Sequence, residues 1–183
     1  MKVKIITLVG IVVVAIVTIV MMSGPQDQQA NVKETEDIKQ LVHDYSIGNI
    51  TDQSASITSE QLVVTNEDES QEAYDLPEDE FFVSIAPYEE TTHPCAVHSL
   101  TGCQGELANE TFHVTIVDDE GDTVMDQEVE SLANGFIDLW LERDKNYQVT
   151  IAHDDKVTES EITTFENDNT CITTMQLEDA QSA

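Results

Sequence analysis

The residues of this chain best suited to chemistry are three cysteines, Cys95, Cys103 and Cys171. The first two stand eight residues apart and the third follows 68 residues later, a spacing that matches no zinc-finger template. Three thiols cannot close entirely into internal disulfides. Either Cys95 and Cys103 form a disulfide and Cys171 is a buried structural thiol, or the thiols serve a metal or redox role. Their neighbours bear on the choice. His93-Pro94-Cys95 and His98 share a loop with Gly102-Cys103, and proline and glycine there make an irregular backbone on which side chains can converge. Near the C terminus, Cys171-Ile172-Thr173-Thr174-Met175 has strand character, which predicts Cys171, Thr173 and Met175 on one face. A strand placed under the loop would bring three thiolates and one thioether together. Such soft ligands select Cu(I) first and zinc next, and three cysteines with His93 or His98 would also complete zinc's tetrahedron.

The elements that position these groups lie outside the cytoplasm. Lys2 and Lys4 precede an apolar run, residues 5–22, broken only by Thr7, Gly10 and Thr18. As a helix it would extend ~27 Å, near the thickness of a bilayer's hydrocarbon core. The flanking positive charge keeps the N terminus inside and exports the rest. Val20-Met21-Met22-Ser23-Gly24 is a poor signal-peptidase site, which favours an uncleaved membrane anchor over a released protein. Residues 1–24 are thus read as anchor or signal peptide, 25–78 as a small N-terminal helix-plus-strand part, 79–178 as a β-rich metal-binding domain and 179–183 as a tail.

Ser23–Ala30 is polar and reads as a short stalk. Ile38, Leu41, Val42 and Tyr45 then recur at helical spacing, with Asn31 and Glu34 as a capping pair and Gly48-Asn49 as the stop. Gln61–Thr65 reads as a strand and Asn66–Asp75 as an acidic loop. From Phe81 onward the period is two. Strands are predicted at 81–86, 112–117, 123–130, 136–141, 147–152, 156–165 and 171–177, separated by turn signals such as Asp118–Asp122 and Asn134-Gly135. The fold class is therefore α+β and mainly antiparallel β: a C-terminal β-sandwich of prealbumin-like pattern, a small N-terminal helical part and an N-terminal anchor helix.

Several of these stretches together are similar to one family. Phe81–Tyr88 (FFVSIAPY), Thr92–Cys95 (THPC), His98–Leu107 (HSLTGCQGEL), Asn134–Phe136, Leu139–Leu141 and Thr170–Leu177 (TCITTMQL) resemble the CueP family of periplasmic copper-binding proteins. Ser54–Val64 and Tyr74–Pro77 resemble it too, so the likeness spans most of residues 30–178. It implies copper binding through Cys95, Cys103 and Cys171, a role in copper resistance in the cell envelope, and an N-terminal part that pairs two copies into a homodimer. The apolar N-terminal run and Glu142-Arg143-Asp144, where a proline before the arginine is commoner, depart from the family pattern.

Composition narrows the remaining classes. With 37 acidic residues against 7 basic ones the net charge is −30, which repels phosphate backbones and argues against nucleic acid as a partner. The same charge draws cations toward the surface. No Ser/His/Asp set, glycine-rich phosphate loop or motif-spaced carboxylate pair points to an enzyme. His43, His113 and His153 read as ordinary surface residues, Trp140 as core, and Asp118, Glu120 and Asp122 as a solvated turn rather than a calcium loop. The function read from these residues is extracytoplasmic sequestration of copper as Cu(I), with stoichiometric reduction of Cu(II) by the thiols and delivery to a client protein or reset by a thiol reductant. Two rivals stand beside it. One is a membrane-tethered sandwich adaptor with a structural disulfide and no metal. The other is a thiol–disulfide exchange protein, which normally carries a C-x-x-C pair that this chain lacks.

Overall fold

A computed structural model of the chain describes residues 26–180. The apolar run at 5–22 and the last three residues of the tail lie outside the described residues, and among those described no helix is long and apolar enough to cross a membrane. The chain divides into two units at Asp37 and Ile38. Among the described residues, the first unit is the opening half of one helix, and every sheet belongs to the second.

That helix, α1, spans Gln26–Ser46. It begins ahead of the Asn31 cap, so residues 26–30 are helical where the sequence suggests a stalk. The physical reason is composition, since glutamine and alanine are good helix formers and nothing between Gln26 and Asn31 breaks the helix. The stop falls as expected. Gly48 takes φ +75°, and the Ile47 and Gly48 amides close back onto the carbonyls of His43 and Tyr45 at 3.0 and 3.1 Å. Ile38, Val42 and Tyr45 form the buried stripe.

Among the described residues, twelve strands follow. The first sheet has the order β3-β2-β1-β5, from β1 (Ser54–Ile57), β2 (Gln61–Thr65), β3 (Gln71–Asp75) and β5 (His98–Ser99). The acidic stretch ending at Asp75 is thus part strand. All five residues of β3 are exposed, so no apolar alternation marks it, and its ladder with β2 alone defines it. The second sheet, β11-β4-β8, joins β4 (Glu80–Ile85), β8 (Ile137–Glu142) and the short parallel strand β11 (Cys171–Ile172). The third, β12-β10-β9-β6-β7, joins β6 (Thr111–Asp118), β7 (Thr123–Glu130), β9 (Asn146–His153), β10 (Lys156–Thr163) and β12 (Glu178–Asp179).

The second and third sheets form the sandwich. Phe81, Val83 and Ile85 of β4 and Ile137, Leu139 and Leu141 of β8 meet Phe112, Val114 and Ile116 of β6 and Val149 and Ile151 of β9. Fully burying one such side chain contributes about 1.5–3 kcal/mol. The sheet of β4 is covered on its other side as well. Phe82 packs edge-on against Trp140, ring centroids 5.2 Å apart, in a second cluster with Val42, Tyr45, Ile57, Leu62 and Leu100. A strand covered on both faces reads as a continuous apolar run, which is why FFV stands at the start of β4. Trp140 is half-buried rather than a full core residue, with Lys39 5.2 Å over its ring.

Candidate metal centre

Each cysteine is held by a different part of this frame. Cys171 opens β11 opposite Ser84 of β4, and the ladder is tied by Ser84 N–H to Thr170 O and Ala86 N–H to Ile172 O, both 2.9 Å. The loop bearing Cys95 is pinned to that strand, because the amides of Thr170 and Cys171 both donate to the Ala96 carbonyl, at 3.0 and 3.3 Å. Thr92 Oγ1 adds a 2.6 Å bond to the Thr173 carbonyl. Cys103 ends a turn that leaves β5, its amide donating to Ser99 O at 3.0 Å.

Two glycines let that turn dock. Gly135 has φ +79°, a conformation costly for any other residue, and a Cβ on it would lie 2.7 Å from the Gly105 carbonyl. A Cβ on Gly105 would lie 2.5 Å from Gly135 O. The Gly105 amide donates to Asn134 O at 2.6 Å. This backbone-to-backbone contact brings Cys103 to Phe136, and Cys95, Cys103, Ala86, Phe136 and Cys171 form one packed cluster.

The donor atoms converge. Cys95 Sγ and Cys103 Sγ lie 3.6 Å apart with both thiols free. His93, Cys95 and Cys103 form a set whose donor atoms all lie within 4.8 Å of one another, and His98, Cys103 and Cys171 form a second such set. Cys103 belongs to both. The first set is half-buried, whereas Cys171 and His98 are 1% and 0% exposed. Burial pushes the Cys171 thiol far above its ordinary range, with hydrogen bonding to Cys95 adding to the effect. It raises Cys95 as well.

His98 is the residue whose environment most calls for a ligand. Its ring is wedged against Phe136 at 4.5 Å between centroids, and neither ring nitrogen has a hydrogen-bond partner. A buried polar atom left unpaired costs on the order of 1–3 kcal/mol. Burial, then the charge of His93, pushes its pKa down to about 4, so the ring is neutral with a lone pair to give. Sequence reasoning treats this residue as a loop histidine. It is in fact strand residue β5, opposite Ile57 of β1.

Met175 goes elsewhere. Burial alternates from Cys171 through Thr173 to Met175, as the sequence suggests, but the Met175 side chain packs in the sandwich core rather than in the cluster of Cys171. Three positioning residues have no sequence signal of their own. Thr170 Oγ1 accepts from the His98 amide at 3.1 Å and donates to Ile57 O at 2.6 Å. The Glu106 carboxylate accepts from the amides of Glu89, Glu90 and Thr91 at 2.7, 3.0 and 3.3 Å, tying the segment after Cys103 to the one before Cys95. Asp138, whose carboxyl burial holds above its usual range, accepts from Ser46 Oγ and Ser84 Oγ at 2.6 and 2.5 Å. The acidic turn at 118–122 satisfies itself, with Asp118 Oδ1 accepting the Glu120 and Asp122 amides.

A β-sandwich carrying free thiols and an unpaired buried imidazole at one cluster belongs to the class of proteins equipped for a soft transition metal. The sequence pattern described as "Periplasmic copper-binding protein CueP" matches residues 25–176, and the chain belongs to that family. A crystal structure of S.CueP superposes with a TM-score of 0.73 at 35% identity, covering 77% of this chain and 88% of that one. No curated protein matches the chain.

Proposed function

We propose that this protein traps copper as Cu(I) outside the cytoplasm through Cys95, Cys103 and Cys171, held there by residues 5–22 as a membrane anchor. The observation that carries this reading is the convergence of the Cys95–Cys103 pair at 3.6 Å with the buried Cys171 and the unpartnered His98. Thiolates bind the soft monovalent ion and serve harder cations poorly, so free copper falls. His93 and His98 supply nitrogen donors, and Met175 takes no part. Copper binds thiolates, so loading releases protons and uptake strengthens as pH rises.

Reduction of incoming Cu(II) belongs to the same site. Two thiols, Cys95 and Cys103, give one electron each to two Cu(II) ions, forming one disulfide, two Cu(I) ions and two protons. A dithiol reductant from outside the protein then restores the pair, and a client protein takes the metal onward. Without that reductant the chemistry stops after one round, with two Cu(II) ions reduced per protein.

Anaerobic titration of the reduced protein with Cu(I) against a chromogenic chelator tests the proposal. About one equivalent should bind, and a variant with all three cysteines replaced by serine should bind none. Uptake well below one equivalent, or equal uptake by the triple variant, would leave a tethered sandwich adaptor stapled by a disulfide.

A further inference from the structure

We infer that the copper ion occupies two positions in turn, an outer one at His93, Cys95 and Cys103 and an inner one at Cys103, Cys171 and His98, with Cys103 holding it throughout. This rests on the copper-trapping reading above and adds an order of events to it. The two donor sets are distinct in composition and share one sulfur. They also differ in access. Around the outer set the chain is open, with Pro94 and Ala96 exposed and Val97 51% exposed. The inner set is closed, since Cys171 and His98 are buried and Phe136 lies against the His98 ring. An ion arriving from solvent therefore meets His93 and Cys95 first.

Each set offers two sulfurs and one nitrogen, so neither position asks the ion to change its coordination number. Transfer is ligand exchange with no change of oxidation state. The bonds to Cys95 and His93 break as those to Cys171 and His98 form. The proton leaving the Cys171 thiol passes to the released Cys95 thiolate, its neighbour, so the step is neutral overall. Three-sulfur coordination occurs at the crossing point. The inner position also gives one of the two unpaired nitrogens of His98 a partner, which three cysteines binding alone would not. The outer position is suited to loading and handover, the inner one to retention.

Full-length reduced protein, loaded anaerobically with one equivalent of Cu(I) and mixed with excess chelator, tests this. Cys171→Ser, which keeps only the outer set, should still bind one equivalent but surrender it about ten- to a hundredfold faster than the wild type. Cys95→Ser, which keeps only the inner set, should bind one equivalent and load more slowly by a similar factor. Cys103→Ser should lose both positions. X-ray absorption on the first two variants should show two sulfurs and one nitrogen around copper, and in Cys95→Ser a further His98→Phe change should remove the nitrogen. His93→Ala, a half-buried change that spares the core, should slow loading without speeding release. The inference is overturned if Cys95→Ser and Cys171→Ser lose binding as completely as Cys103→Ser, or if both exchange copper at wild-type rates. A wild type that binds no copper defeats the trapping reading itself, which is a different result.

Discussion

The sulfur atoms of Cys95 and Cys103 face each other at 3.6 Å, well beyond the ~2.05 Å of a disulfide yet close enough to bond after a small rotation. The chain between them turns back at Ser99, whose carbonyl holds the Gly102 and Cys103 amides. Mild oxidation should therefore close this pair before either sulfur reaches Cys171. Thiol counting should fall from three to one, Cu(I) uptake should be lost, and a dithiol reductant should restore both. On chain-entropy grounds the oxidised form gains about 2–3 kcal/mol, visible as a higher melting temperature. Peptide mapping that finds Cys171 in the first disulfide formed would contradict the assignment.

Gly135→Ala should damage the site through the backbone. The left-handed conformation at φ +79° and the approach of Gly105 to 2.7 Å together cost roughly 2–4 kcal/mol. The Cys103 turn would lift from Phe136, so denaturant unfolding should show the loss of stability and copper uptake should fall with it. Gly121→Ala, at φ +87° but with open space around it, should cost only the conformational part and leave copper binding intact.

Thr170→Val removes one hydroxyl that serves two strands. The His98 amide loses its acceptor and the Ile57 carbonyl its donor, both beside a side chain only 1% exposed. The expected loss is about 2–4 kcal/mol. Thr170→Ser should recover most of it, because the hydroxyl and not the methyl group makes the bonds. Equal melting temperatures for the valine and serine variants would refute this role.

Glu106 links the segments that bear Cys95 and Cys103. Burial by itself would raise this carboxyl, but the amides of Glu90, Glu89 and Thr91 outweigh it and hold the pKa below the ordinary value. An acid with a depressed folded pKa contributes stability above its unfolded value of about 4.3, and the contribution is lost as pH falls through the folded value. Glu106→Ala should make the Glu89–Thr91 amides exchange faster with solvent and cost about 1 kcal/mol, since the carboxylate is exposed. Glu106→Gln should keep part of the protection.

His113 provides a pH response away from the metal centre. Hydrogen bonds to Glu128, at 3.1 Å, and Asp126, at 2.8 Å, raise its pKa above the ordinary range. A histidine raised on folding contributes its stability in full below the unfolded value of about 6.5, and loses it as pH climbs through the folded value. Imidazole titration followed by NMR should place the midpoint above 6.5, and Asp126→Asn with Glu128→Gln should bring it back toward that value. An unshifted midpoint in the unmodified protein would remove this pair of contacts from the account.

Much of the architecture was legible because burial repeats with the period of the element. Ile38, Val42 and Tyr45 marked the helix stripe, and alternation in Phe112–Val117 and Tyr147–Ala152 marked central strands. Elements without such a pattern were not legible. The wholly exposed β3 looks like a loop, and the two-residue strand at His98–Ser99 is too short to show a period. Residues 26–30 carry no helical signal because no large apolar side chain falls there.

Residue type and local spacing alone determined that three soft sulfurs and two nearby imidazoles were present, and that a sandwich would surround them. Donor chemistry and hydrophobic periodicity are written in the chain itself. Tertiary structure decided which donors share a point in space: Met175 packs into the sandwich core, a glycine–glycine contact seats Cys103, and pairing with β1 sinks His98 beneath Phe136. Those outcomes depend on contacts between residues far apart in sequence, and no local pattern encodes a distance across the fold.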